Sequence, residues 1–187
     1  MQDPAGTSLT APATPPASPQ ELSAGATQPR RVLVAIALLT LLADQGSKVW
    51  ALHTLTLAQP RPLVGDWIQL NLIANSGAAF SIGAGMTWVL TVLALVITFV
   101  AIRAALRVNT LPWAVALGLL IGGSLGNLAD RLLRQPGFAR GHVVDFIDYF
   151  GLFIGNVADI AIVVAAALLA VLFLRGTPLT AGTDDSG

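Results

Sequence analysis

The chain has 187 residues, 55% hydrophobic and 11% charged, with no net charge and no cysteine. Soluble domains carry about 25% charged residues, so this composition is that of a membrane protein with little soluble mass. Neutrality offers nothing to a nucleic acid. The missing thiols exclude disulfides, cysteine catalysis, cysteine-ligated metal and lipid attachment to a cysteine of its own. His53 and His142 are far apart and no His-Glu-x-x-His pattern exists, so a zinc hydrolase has no support.

Residues 1–29 hold six of the eleven prolines and almost no large apolar side chains. Such a stretch cannot bury enough surface to offset its ordering entropy, and it reads as a disordered tail. Residues 176–187 read the same way, leaving residues 30–175 as the folded membrane domain.

Four apolar stretches follow in order: Val32 to about Leu52, about Met86 to Ile102, Leu111 to about Ala129, and about Ile154 to Leu174. Each has about the 17–25 residues that a helix needs to cross a bilayer. The expected fold is an α-helical membrane protein: four transmembrane helices with a small extracytoplasmic β-sheet and loop region. The sheet is expected from two long connections. Trp67–Ile73 alternates apolar and polar residues, and His142–Tyr149 also reads as extended.

Four spans leave both termini on one side. Arg30, Arg31, Arg103, Arg107 and Arg175 fall there, while Lys48, Arg61, Arg131, Arg134 and Arg140 fall opposite. With Lys48 and Arg131 set aside as part of a membrane-level site, the cations favour cytoplasmic termini.

Alternating crossings bring scattered polar groups to one depth. Asp44 lies late in span one, Asp130 ends span three and Asp159 begins span four, with Asn75–Phe80 just before span two. Asn127-Leu-Ala-Asp130 and Asn156-Val-Ala-Asp159 each put an amide and an acid three residues apart, on one helix face. Gly118, Gly122 and Gly126 recur every four residues and would let a neighbouring helix approach closely. Charged groups in lipid cost about 2.5–3.5 kcal/mol even on lenient scales. Two acids meeting there, Asp130 and Asp159, would share a proton and could activate water, the chemistry of an aspartic peptidase. Either aspartate alone serves equally well as a packing or ion-pair element. Asp44 and Lys48, four apart with the acid first, fit mutual neutralisation. Arg131 reads either as snorkelling to the interface or as gripping a substrate carbonyl or lipid group. Asp145 and Asp148 read by default as solvated loop acids. The rival class is a small transporter or proton pathway, against which stands the clustering of the acids at one depth.

Five ordered blocks resemble the lipoprotein signal peptidase (signal peptidase II) family: Asp44–Lys48, Asn75–Phe80, Gly122–Arg131, Val143–Phe146 and Asn156–Asp159. The resemblance covers about residues 32–174. It implies an aspartic endopeptidase of the bacterial cytoplasmic membrane. Such an enzyme removes the signal peptide from diacylglyceryl-modified prolipoproteins, cutting before the lipidated cysteine. It uses no metal and no cofactor. Its partners are the lipid-modified substrate and membrane lipids, and a monomer is expected, with the active site near the outer leaflet. By motif, Asp130 and Asp159 are expected as the catalytic pair. Asn75, Gly77, Asn127, Arg131, Asn156 and Ala158 are expected to line the substrate site, with Asp44, Lys48 and Asp145 in support. Two positions depart from the family pattern: Ser47 stands where Thr is usual, and Gly155 where Phe is usual.

Overall fold

Four apolar helices and one small sheet make up the described residues of the computed structural model, which are 19–65, 67–77 and 86–180. In chain order they are α1 (Pro19–Thr54), β1 (Arg61–Val64), β2 (Ile68–Asn75), α2 (Thr87–Ala105), α3 (Leu111–Leu133), β3 (Val143–Tyr149), β4 (Phe153–Gly155) and α4 (Val157–Leu174). All four helices are long and apolar enough to span a membrane, as expected.

Helix α3 is the hub. In the most apolar window of each helix, 56% of α3 is buried inside the protein, against 22–28% for the other three, whose remaining apolar faces point outward. Its small residues explain this. A Cβ added to Gly122 would lie 2.6 Å from the Ala37 carbonyl oxygen of α1, and one added to Gly126 would strike the Asp44 carboxylate. On the other flank a Cβ on Gly123 would lie 2.7 Å from the Ala158 carbonyl oxygen of α4. Without a hydrophobic driving force in lipid, helices associate through such close backbone contact.

The sheet has the order β1-β2-β3-β4, all antiparallel. Its inner face packs on the end of α1, where Leu72, Val144 and Phe146 bury against Ala51 and Leu55. Between Leu70 and Ile73 the register of β2 against β3 shifts, so Ile73 pairs with Asp145 and Asn75 with Val143. Strands β2 and β3 coincide with the two extended segments anticipated from sequence. Strands β1 and β4 are additional, and β4 includes Ile154 and Gly155, which the hydropathy places at the start of the fourth span.

Both expected tails are shorter than anticipated. Helix α1 begins at Pro19, so residues 19–29 are helical rather than disordered. The residues there include Glu, Leu, Ala and Gln, good helix formers; Pro19 suits its first-turn position, while Pro29 stands inside the helix, where its missing N–H removes one backbone bond. At the other end the Trp113 indole donates to the Thr177 carbonyl at 2.9 Å, and Leu179 packs against the cluster around Val108 and Leu117. Residues 1–18 and 181–187 lie outside the described residues, as do 78–80 of the Asn75–Phe80 block.

Candidate active site

The polar residues expected to converge do so, in two layers joined by asparagines. The deeper layer is a charge cluster between α1 and α3. Lys48 is fully buried and uses its three ammonium donors on Asp44 Oδ2 (2.7 Å), Asp130 Oδ2 (2.9 Å) and Asn127 Oδ1 (2.9 Å). Asp44 Oδ1 accepts the Ala158 N–H at 3.0 Å and so ties the first turn of α4 to α1. The neutralisation expected of Asp44 and Lys48 is present, but it extends to Asp130.

Asp130 is enclosed in this cluster. Its Oδ1 accepts from Arg134 Nε (2.5 Å) and Gln45 Nε2 (3.3 Å). Its Oδ2 takes Lys48 and the Val144 N–H (3.1 Å). Two cations and two neutral donors therefore engage both oxygens.

The second layer faces a cavity of about 70 Å³, lined by Asn75, Gly77, Asn127, Arg131, Val143, Asp145, Phe153 and Asp159. That volume holds more than one water, since a single water needs about 10–15 Å³ on the same measure. Asp130 is not in the lining. The acid that shares the cavity with Asp159 is Asp145, brought there by β3.

Asparagines hold both of these carboxylates. Asn75 Nδ2 donates to Asp145 Oδ2 at 2.7 Å, and Asn156 Nδ2 donates to Asp145 Oδ1 at 2.6 Å. Asn127 Nδ2 donates to Asp159 Oδ1 at 2.8 Å. Lys48 has only donors, so it fixes the Asn127 amide with its oxygen toward the lysine and its NH₂ toward Asp159. Asn156 caps α4 in a reciprocal box: its side chain accepts the Asp159 N–H, and Asp159 Oδ2 accepts the Asn156 N–H at 3.1 Å. The second Asn-x-Ala-Asp segment is thus a helix start, with its acid at the favourable end of the helix dipole.

Arg131 is 7% exposed. Its Nη2 donates to the Gly77 carbonyl at 2.7 Å, while the buried Nη1 has no hydrogen-bond partner among the described residues. A buried unpaired donor is costly, and this one belongs to a residue that lines the cavity. The carboxyl of Asp145 is pushed up to about 7, first by burial and then by the charge of Asp159; the Asn75 and Asn156 bonds and Lys48 pull the other way.

Every residue expected at the site is in one of the two layers. Sequence reasoning missed the cavity-lining Val143 and Phe153, and it missed Gln45 and Arg134 around Asp130. Arg134 had a signal, its four-residue spacing from Asp130. Asp145 had a stronger one: an acid inside Val-Val-Asp-Phe, between apolar residues that the fold buries.

Fold and site together define a four-span membrane protein with a carboxylate-lined cavity at one end of its bundle. The family model for signal peptidase (SPase) II matches residues 36–175. A lipoprotein signal peptidase of Streptomyces coelicolor is 46% identical over 147 residues, 78% of this chain and 71% of that one. One of Mycobacterium avium is 43% identical over 146 residues, covering 78% and 80%. A bacterial membrane enzyme solved at 2.3 Å resolution by the in meso method superposes with a TM-score of 0.70 and 25% identity, over 81% of this chain and 93% of that one. The chain belongs to the lipoprotein signal peptidase (signal peptidase II) family. It is a membrane protease of a family that processes prolipoproteins.

Proposed function

We propose that the protein is an aspartic endopeptidase in which Asp145 and Asp159, rather than Asp130 and Asp159, form the acid pair. One observation carries this reading: Asp145 and Asp159 face the same water-sized cavity, while both oxygens of Asp130 are engaged by Lys48, Arg134, Gln45 and a backbone N–H. Neighbouring carboxyls do not both ionise readily, so the pair holds one proton. We assign that proton to Asp145, whose titration near 7 keeps it protonated in mildly acidic conditions.

In the forward step, water attacks the scissile carbonyl carbon and gives a proton to Asp159. Asp145 gives its proton to the carbonyl oxygen, producing a neutral gem-diol. The C–N bond then breaks as Asp159 returns its proton to the leaving nitrogen, and Asp145 recovers one from a diol hydroxyl. Arg131 Nη1 polarises the carbonyl oxygen as charge develops. The substrate is a prolipoprotein carrying a diacylglyceryl group, cut on the N-terminal side of its lipidated cysteine. The cationic residues on the terminal side support cytoplasmic termini and a site near the outer leaflet.

The test is cleavage of a purified diacylglyceryl-modified prolipoprotein by wild type and by Asp145→Asn, Asp159→Asn and Asp130→Asn. The reading expects the first two to lose cleavage while remaining folded, with a smaller drop in unfolding temperature than Asp130→Asn, because each Asn keeps one acceptor for the two donors it faces. Substantial cleavage by Asp145→Asn would end it.

A further inference from the structure

A second hollow adjoins the polar cavity and has no part in the chemistry above. It is an apolar groove of about 470 Å³ on α4, lined by Tyr149, Phe153, Asp159, Ile160, Val163 and Val164. Val163 is 67% exposed, so the groove opens sideways toward the surrounding hydrocarbon. Phe153 and Asp159 line both spaces, and the Phe153 ring stands at the boundary.

That ring is held from two sides. Tyr149 pairs with Phe153 across the β3–β4 rung, and their rings stack at 6.0 Å and 16°. Gly155 is two residues further along β4, on the same face of the strand. A Cβ there would come within 2.8 Å of Phe153 Cε1 and 2.9 Å of Asp159 Oδ2. This glycine thus leaves the room that the Phe153 ring takes up beside the carboxylate.

We propose that Phe153 is a specificity-determining partition: its ring, seated over Gly155 beside Asp159, directs an acyl chain of the substrate along α4 and the backbone to be cut into the polar cavity. The occupant assigned to the groove is an acyl chain rather than a signal-peptide helix. Residues 160–164 span roughly 6 Å of helix, about one turn, which is short for helix-on-helix packing. The groove also ends at a reacting carboxylate, where a lipid attached next to the scissile bond has to lie. This deepens the acid-pair reading and rests on it.

The experiment compares one prolipoprotein peptide carrying long or short diacyl chains, cleaved by purified full-length protein in micelles. Wild type should show the lower KM for long chains. In Phe153→Ala, kcat/KM should fall about tenfold more for the long-chain than for the short-chain substrate, the size of a pocket-shape discrimination, and the difference should lie mostly in KM. Phe153→Leu, which keeps bulk at the boundary, should restore most of the preference. Gly155→Ala should displace the ring and also press on Asp159, lowering kcat for both substrates; its mark on the partition is a change in the long-to-short KM ratio in the same direction, smaller in a Phe153→Ala background than in wild type. It carries the test if Phe153→Ala does not fold. An equal loss in kcat for both substrates, with the KM ratio unchanged, would overturn the partition. So would a KM set by the apolar residues of the signal peptide and indifferent to chain length. Failure of wild type to cleave either substrate would instead overturn the acid-pair reading, and the partition with it.

Discussion

Asn127–Asp130 and Asn156–Asp159 differ at one position of four, yet they sit at opposite ends of their helices and in opposite surroundings. Asp130 is in the last turns of α3, where the helix dipole disfavours an anion. Lys48 and Arg134 compensate it, and the result is a closed ion cluster. Asp159 is in the first turn of α4, where the dipole favours an anion, and among the described residues no cation lies within salt-bridge distance of it. Its second oxygen caps the helix, and one edge of the residue remains open to the cavity. Two copies of nearly the same letters thus do different work. Both oxygens of Asp130 are engaged by Lys48, Arg134, Gln45 and the Val144 N–H, whereas Asp159 also lines the cavity. The asparagines follow the same division: Asn127 links the ion cluster to Asp159, and Asn156 links Asp159 to Asp145.

The largest expected effect separates the two acids by observable. Asp145→Asn and Asp159→Asn should lower kcat by roughly 10²–10⁴-fold, the range for a lost general acid or base, and should lower thermal stability less than Asp130→Asn, each losing one accepted hydrogen bond rather than a buried charge. Asp130→Asn should instead unfold far more easily. Removing one partner of a buried ion pair costs up to roughly 3–5 kcal/mol, and Lys48 would retain only Asp44 as a counter-charge. Unfolding in detergent followed by circular dichroism distinguishes the two outcomes. A stable but inactive Asp130→Asn would return that residue to the chemistry.

The next prediction concerns pH. Asp145 loses its proton as pH rises through about 7, so kcat/KM should fall on the alkaline side with an apparent midpoint near that value. Stability has the same sign. In the unfolded chain Asp145 titrates near 3.9, so the stability gained from its buried protonated form is complete below about 4. It is lost as pH rises through about 7. Asp145→Asn should flatten the decline in unfolding temperature between pH 5 and 8, and an unchanged slope would deny Asp145 its raised titration.

A smaller effect tests the helix start. Asn156→Ala should cost about 1 kcal/mol through the lost N-cap and lower activity further by freeing Asp145. The smallest belongs to Arg134, which is 26% exposed in its pair with Asp130. Arg134→Gln should cost about 1 kcal/mol or less, because solvent screens such a pair. A loss as large as that of Asp130→Asn would mean that Arg134, and not Lys48, is the cation that holds the cluster.

The four spans, two of the strands and the glycine seam of α3 were readable from the chain because each is local. Hydrophobic length, period-two alternation and small-residue spacing act within a single segment. The set of polar residues was readable too, since charged groups inside apolar runs need a compensating partner or a function. Their partners were not readable. Asp145 meets Asp159 because β3 pairs with β2 through a one-residue register shift and packs beside the start of α4, a consequence of contacts between segments far apart in sequence. Asp130 and Asp159 share a depth and a motif, but depth says nothing about which cation lies beside each acid. Lys48 reaches Asp130 only because Gly126 lets α1 come close enough. Composition and periodicity set the membrane and the spans, whereas helix approach and strand register, which depend on the whole folded chain, decided which acids face water and which are neutralised.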